Sequence, residues 1–323
     1  MEFIRPSLEY LDSYLEAYSY FEKEKSIFSR VTAEEIRRDK EKYIDGLNNL
    51  ITEKYYEVNS FLITSTTYWL VDIEKKEFIG YVEVYHRLTE ELYNANGHID
   101  CVVAPQYRKK GYGNKLGAKG LEIARELKLC EVLINCDCDN IALKKIIENN
   151  EGIFSSEDYH EGKKRERYRV IFNHSAQKMW RKFLEIWCTD ELSENEFNYY
   201  CFQFSNDADG LSELVKLGIK KATVNLVFSC ENKNIIYPKV GDYNIILNSK
   251  DEAVCVVKII KIEERKYSEV DEQFAILEGE GDKSLSYWRK VHEEKFKKSL
   301  EEHSKKFDCN LDLYLERFRL MYK

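Results

Sequence analysis

The stretch "VVAPQYRKKGYGNKLGAKGLEIA", Val102–Ala124, decides how the first half of this chain folds. Apolar β-branched residues lead to Pro105. The chain then passes through Arg108-Lys109-Lys110-Gly111-Tyr112-Gly113 into a helix expected over about 113–127. Glycines let a backbone curl closely around a ligand, so several N–H groups converge where the helix dipole favours negative charge. The basic residues add to that field. On glycine spacing alone the same turn serves equally as a steric accommodation between strand and helix.

The sequence on either side places this turn in a larger unit. The first ~50 residues carry apolar residues at helical spacing, predicting helices over Leu8–Phe28 and Ala33–Ile51. β-branched or alternating runs follow at 66–72, 78–86 and 97–105. After the glycine turn and its helix come a strand at 131–137, a helix at 142–149, and a hairpin of 152–159 with 166–172. The order predicts a mixed, mainly antiparallel sheet interrupted by helices. Around Asn173–Gln177 the pattern restarts with a boundary helix, "MWRKFLEIW". We therefore expect two α+β domains, 1–173 and 174–323, in keeping with a length of 323 residues.

Composition narrows the class of protein. The hydrophobic fraction of 43% suffices for packed cores. Met1–Tyr10 is already charged and no apolar run approaches about 18 residues, so a soluble, cytoplasmic protein without membrane contact is expected. The nine cysteines, at 101, 130, 136, 138, 188, 201, 230, 255 and 309, are odd in number and scattered, which predicts reduced, mostly buried thiols. Cys136 and Cys138 share a strand face, but no second Cys/His pair stands at metal spacing, so no metal is expected. The net charge is −8; residues 1–173 hold 26 basic against 31 acidic residues, and residues 174–323 hold 24 against 27. Neither half is a bulk polyanion binder, and no DNA partner is expected.

The order of strand, proline, Arg-x-x-Gly-x-Gly, helix, strand and Asn140 resembles the GNAT family of acetyl-CoA-dependent N-acetyltransferases, over about residues 1–173. The resemblance implies that the amides of Arg108, Lys109, Lys110, Gly111, Tyr112 and Gly113 bind the coenzyme A pyrophosphate. It also implies that the edge of Cys101, Val102 and Val103 pairs with the pantetheine arm, with Asn140 beside it. Attack by an amine needs a base, and Glu83, His98 and Asp100 are the candidates. His98, after Gly97, reads equally as a packing histidine. Many family members carry a Tyr general acid on the helix after Asn140; this sequence has Ile147 there.

The second half reads differently. A helix ending at Gly218 leads into a strand at about 222–226; "VGDYNIIL" is a turn into a strand, "AVCVVKIIKIEE" alternates as another, and "FRLMYK" ends the chain as a last strand. Short strands with peripheral helices predict a small β-barrel. Three separated blocks, Gly218-x-Lys220-x-x-Thr223, Pro238-x-x-Gly241-Asp242 and Ala275-x-x-Glu278-Gly-Glu-Gly-Asp282, resemble the ASCH domain, a PUA-like barrel proposed to bind RNA. The resemblance implies a cleft with Lys220, Thr223 and Glu278 as catalytic candidates and Lys221, Glu280, Trp288, Arg289 and His292 as ligand-binding ones. Read without it, Lys220-Lys221 is a solvated strand start, Glu278 a turn acid, and Asp282 or Ser284 an N-cap for the Trp288–His292 helix.

The resemblances together imply an acetyl-CoA-dependent N-acetyltransferase with an appended ASCH domain for RNA or a nucleoside-like ligand. The acceptor would be a small amine, a nucleoside or RNA. The alternatives are an ASCH-centred hydrolase, acting on acetylcytidine or RNA with an auxiliary GNAT half, and a non-catalytic coenzyme A and RNA binder.

Overall fold

The computed structural model describes residues 1–24, 31–49, 64–160, 162–187, 198–227, 239–301 and 304–323. The chain divides into two compact units, Met1–Leu127 with Glu131–Phe172, and Lys128–Cys130 with Asn173–Lys323.

The first unit runs β1 (Glu2–Ile4), α1 (Leu11–Glu24), α2 (Ala33–Arg38), α3 (Lys40–Asn49), β2 (Ser65–Asp72), β3 (Glu77–Tyr85), α4 (Glu90–Asn94), β4 (Ile99–Val103), α5 (Tyr112–Glu126), β5 (Glu131–Asp137), α6 (Ile141–Asn149), β6 (Ile153–His160) and β7 (Lys163–Ile171). One sheet has the order β1-β2-β3-β4 and the other β5-β7-β6, all antiparallel. β2 and β3 are buried on both faces, which suits their apolar and aromatic content. On one face Tyr14 of α1 stacks on Trp69 at 4.6 Å and meets Phe78 edge-on at 5.1 Å. On the other, α5 packs through glycine: a Cβ at Gly120 would lie 3.0 Å from Val82 and 3.1 Å from Ile99. The helix expected over Ala33–Ile51 breaks at Asp39, whose φ of −145° is not helical, while Thr32 and Glu35 form a capping box for α2. Residues 50–51 and Phe28 lie outside the described residues.

The second unit runs α7 (His174–Trp187), β8 (Tyr199–Gln203), α8 (Ala208–Lys216), β9 (Ala222–Leu226), β10 (Tyr243–Leu247), β11 (Ala253–Lys266), α9 (Glu272–Glu278), α10 (Leu285–Glu301) and β12 (Asp312–Tyr322). Its five strands, in the order β8-β10-β11-β12-β9, curl into a half-barrel. Only β8 pairs in parallel, with β10. Alternation sorts the faces. Ala222, Val224, Leu313 and Leu315 pack against Phe274, Trp288 and Phe296 of α9 and α10. Phe318, Val257 and Ile246 pack against Val215 of α8. The strand β8 was not anticipated from sequence, nor was the three-residue β1. The molecule is α+β, and among the described residues no helix is long and apolar enough to cross a membrane.

One expectation about the cysteines is overturned. The isolated bridge between Leu129 and Tyr200 sets Cys130 beside Cys201, and the two are disulfide-bonded with Cα atoms 5.5 Å apart. Their 71-residue separation hides this proximity in the sequence. Cys101, Cys136, Cys138, Cys255 and Cys309 are free, and Cys188 and Cys230 lie outside the described residues.

Candidate active site and ligand cleft

In the first unit the two sheets touch at the bridge Gly97 to Ile134. The His98 amide donates to the Leu133 carbonyl (2.8 Å), and the Leu133 amide donates back to His98 Nδ1 (3.0 Å). β4 is the edge of its sheet, and past this clasp no ladder joins it to β5 among the described residues. A cavity of ≈110 Å³ lies there, lined by Asp100 and Cys101 of β4, Ile134 and Asn135 of β5, Gly117 of α5 and Ile147 of α6, among others. Two features shape this slot. Glycine at 113 and 117 keeps the α5 face low, since added Cβ atoms would meet Ile146 at 2.5 and 3.1 Å. Asn135, only 4% exposed, donates through Nδ2 to the Tyr93 carbonyl and leaves Oδ1 without a hydrogen-bond partner. Such an orphaned acceptor suits an amide N–H of a bound chain.

One carboxylate lines this slot and a second stands across the strand from it. Glu83 of β3 and Asp100 of β4 are direct cross-strand partners and share a sheet face. Glu83 accepts from Ser65 Oγ (2.5 Å) and Tyr85 Oη (3.3 Å), and Asp100 accepts from Tyr81 Oη (3.0 Å). Burial pushes Glu83 up to about 7, Asp100 adding to the shift, and pushes Asp100 up to about 6. The pair can therefore take up a proton near neutral pH. Asp100 is the member that lines the cavity.

In the second unit Lys220, 2% exposed, places Nζ 2.5 Å from Glu280 Oε1 and 3.7 Å from Glu278 Oε2, under the Phe204 ring at 5.3 Å. Glu278 ends α9 and is 1% exposed; burial pushes its carboxyl up to about 7. Its Oε2 lies 3.3 Å from His292 Nε2, and His292 Nδ1 meets the Trp288 carbonyl at 2.9 Å. A carbonyl only accepts, so Nδ1 carries the imidazole proton and Nε2 faces Glu278 as an acceptor. Burial also drives His292 down to about 3, keeping it neutral. Glycine makes this geometry fit: Gly279 caps α9 at φ 70°, and a Cβ at Gly281 (φ 54°) would strike the Tyr287 ring at 2.4 Å.

Residues 32–148 match the family model "Acetyltransferase (GNAT) family", and residues 198–322 match "ASCH domain". The chain joins a GNAT acetyltransferase domain to an ASCH domain. No curated protein matches. Among solved structures, an ASCH domain from Lactobacillus crispatus JV V101 is 28% identical, covering 47% of this chain and 96% of its own, with a TM-score of 0.45. Protein EF3133 from Enterococcus faecalis V583 is 25% identical over 46% of this chain and 88% of its own, at a TM-score of 0.40. A mutant spermidine N-acetyltransferase from Vibrio cholerae is 16% identical over 53% of this chain and 95% of its own, at 0.35.

Within the GNAT domain the glycine turn holds Lys109 at φ 61° and Gly111 at φ 84°, with open space where a Gly111 side chain would stand. The Arg108 guanidinium, however, folds onto Glu24 of α1 (2.9 and 2.5 Å) and the Val103 carbonyl (3.1 Å). Lys110 donates to the Gln106 carbonyl. The turn thus offers backbone amides at Tyr112 and Gly113, at the start of α5. Asn140 spends its side-chain oxygen capping α6 through the Leu143 amide. Ile147 is buried, and His98, driven by burial down to about 3, is a neutral clasp between strands.

Within the ASCH domain the structure brings Lys220, Glu278, Glu280, Trp288 and His292 together, the last two stacked at 4.3 Å. Three predicted residues fall elsewhere. Thr223 lies on the β9 face opposite Ala222 and Val224, in register with Glu316. Lys221 is exposed, and its backbone ties Leu277 to Phe318. Arg289 reaches the carbonyls of Tyr267, Ser268 and Val270 and pins α10 to that turn. Ser284, not Asp282, caps α10 by accepting from the Tyr287 amide; Asp282 holds the Ser284 amide. Pro238 lies outside the described residues. Sequence reasoning missed Asn135 and Glu316. For Glu316 a signal existed: it sits where strand alternation beside Phe318 and Leu320 calls for an apolar residue.

Proposed function

We propose that this chain is a cytoplasmic, acetyl-CoA-dependent N-acetyltransferase acting on a small amine, a nucleoside or RNA, with an ASCH domain that binds RNA or a nucleoside-like ligand, the two meeting near residue 173. The observation that carries this is the Glu83–Asp100 pair, one member of which lines the slot between β4 and β5. The amides of the glycine turn would hold the pyrophosphate, and the β4 edge and Asn135 Oδ1 the pantetheine arm. The acceptor nitrogen attacks the thioester carbonyl carbon, the carbon–sulfur bond breaks, and coenzyme A leaves. Asp100 accepts the proton the nitrogen loses, burial holding its affinity for that proton near neutral.

Calorimetry with acetyl-CoA, followed by tracking of labelled acetyl over polyamines, nucleosides and tRNA, tests this. Absence of acetyl-CoA binding overturns it. A second reading, an ASCH-centred hydrolase, draws support from the buried Lys220 held between two glutamates. Release of acetate from acetylcytidine, lost in Lys220→Ala, would favour it.

A further inference from the structure

A polar row crosses three strands of the first sheet. Thr67 of β2, Glu83 of β3 and Asp100 of β4 stand in register and share a face. Tyr81 and Tyr85 flank Glu83 on that face, their rings buried and their hydroxyls spent on the acids: Tyr81 Oη donates to Asp100 and Tyr85 Oη to Glu83. The acids are the open part of the row. Glu83 and Asp100 are half-buried, whereas Ser65, Thr67, Tyr81 and Tyr85 are buried, and Asp100 lines the cavity beside β4. Two properties point to a ligand. Thr67, 2% exposed, has Oγ1 without a hydrogen-bond partner, directly across the ladder from Glu83. No cation is paired with either acid among the described residues; the neighbouring charge acting on Glu83 is that of Asp100. Adjacent carboxylates without a cation repel one another, and a positive ligand removes that repulsion.

We infer that the acetyl acceptor is a primary alkylamine that arrives as its ammonium ion and is held by the carboxylates of Glu83 and Asp100. This rests on the acetyltransferase reading of the GNAT domain and names its acceptor. The exocyclic amine of a nucleobase is neutral, so it leaves the acids without a cation. The Tyr81 and Tyr85 rings, 8% and 4% exposed, offer a base no face for stacking, and the acids repel the phosphates of RNA. The proton count agrees. An ammonium loses two protons on becoming an amide, and two carboxylates stand ready. Glu83 takes the first, freeing the nitrogen lone pair, which attacks the thioester carbonyl carbon. The carbon–sulfur bond breaks with its electrons on sulfur, and Asp100 takes the second proton. One of the two protons then passes to the coenzyme A thiolate and the other to solvent. A neutral base amine would need only one of these acids.

The test gives full-length protein labelled acetyl-CoA with n-butylamine, putrescine or L-lysine amide on one side and cytidine or adenosine on the other. At least one alkylamine should exceed both nucleosides about a hundredfold in kcat/KM. Glu83→Gln should raise the KM for that amine about tenfold or more while its acetyl-CoA affinity, read by calorimetry, stays at the wild-type value. Should the variant misfold, the wild type alone decides: the alcohol of the same carbon skeleton, neutral and alike in shape, should inhibit with a Ki at least tenfold above the amine's KM. An equal Ki, or an unchanged KM in the folded variant, overturns the inference. Acetyl-CoA binding with transfer to no alkylamine, or to a nucleoside equally well, overturns it and leaves the acetyltransferase reading standing; absence of acetyl-CoA binding overturns both.

Discussion

Lys220 Nζ lies 2.5 Å from Glu280 Oε1 and 3.7 Å from Glu278 Oε2, so the second glutamate of the glycine–acid run is the one that holds the lysine. Glu278, turned toward the neutral His292, is the carboxyl whose burial raises its affinity for a proton. The run Glu278–Asp282 is therefore a spatial sorting of two acids between two partners, Glu280 to Lys220 and Glu278 to His292, with glycine at 279 and 281 setting their directions.

The lysine is sealed and its partner is not, so their removal should differ. Lys220→Met leaves the two glutamates without the cation that bonds Glu280 and should cost about 3 kcal/mol. Glu280, 17% exposed at its side chain, can be replaced by water; Glu280→Gln should cost about 1 kcal/mol. Urea denaturation midpoints measure both, and equal costs would contradict the sorting.

Acetyl transfer should rise with pH between 5 and 8 along a limb set by the Glu83–Asp100 pair, at about 6 to 7. Asp100→Asn should lower kcat about a hundredfold and remove that limb. Steady-state rates with one acceptor across this range give the answer; an unchanged limb in the variant would move the base elsewhere.

The same burial has a cost in stability with a definite sign. Glu83 keeps its proton in the folded state up to about pH 7, against an ordinary value of 4.5. Its contribution is fully present below about 4.5 and is lost as pH rises through 7. Glu83→Gln has no such loss, so its stability relative to wild type should improve by about 2–3 kcal/mol from pH 5 to pH 8. Paired urea melts at the two pH values measure the difference, and a constant gap would refute the shift.

Gly281 should tolerate no side chain. Gly281→Ala adds a Cβ 2.4 Å from the Tyr287 ring at positive φ, and should cost about 2 kcal/mol. Tyr287→Ala, which removes the ring, should make the glycine substitution much milder. Thermal melts of the double-mutant cycle report the coupling.

Much of this was legible in the sequence, because it depends on local chemistry. The Gly111 and Gly113 turn, the helix behind it, the strand at about 222–226 and the last strand at "FRLMYK" follow from residue type and spacing over a few neighbours. They pointed to an α+β chain, and the blocks around Lys220 and Glu278 and the Arg-x-x-Gly-x-Gly turn carried its resemblance to an ASCH and a GNAT domain. What the tertiary structure decided are the pairings, which depend on distance across the chain. It turned His98 into a clasp, sent Arg108 to Glu24, joined Cys130 to Cys201, gave Lys220 to Glu280, and set Glu316 opposite Thr223. Each of those partners is distant in sequence, and only the register of strands and the splay of two sheets brings it within hydrogen-bonding or bonding reach.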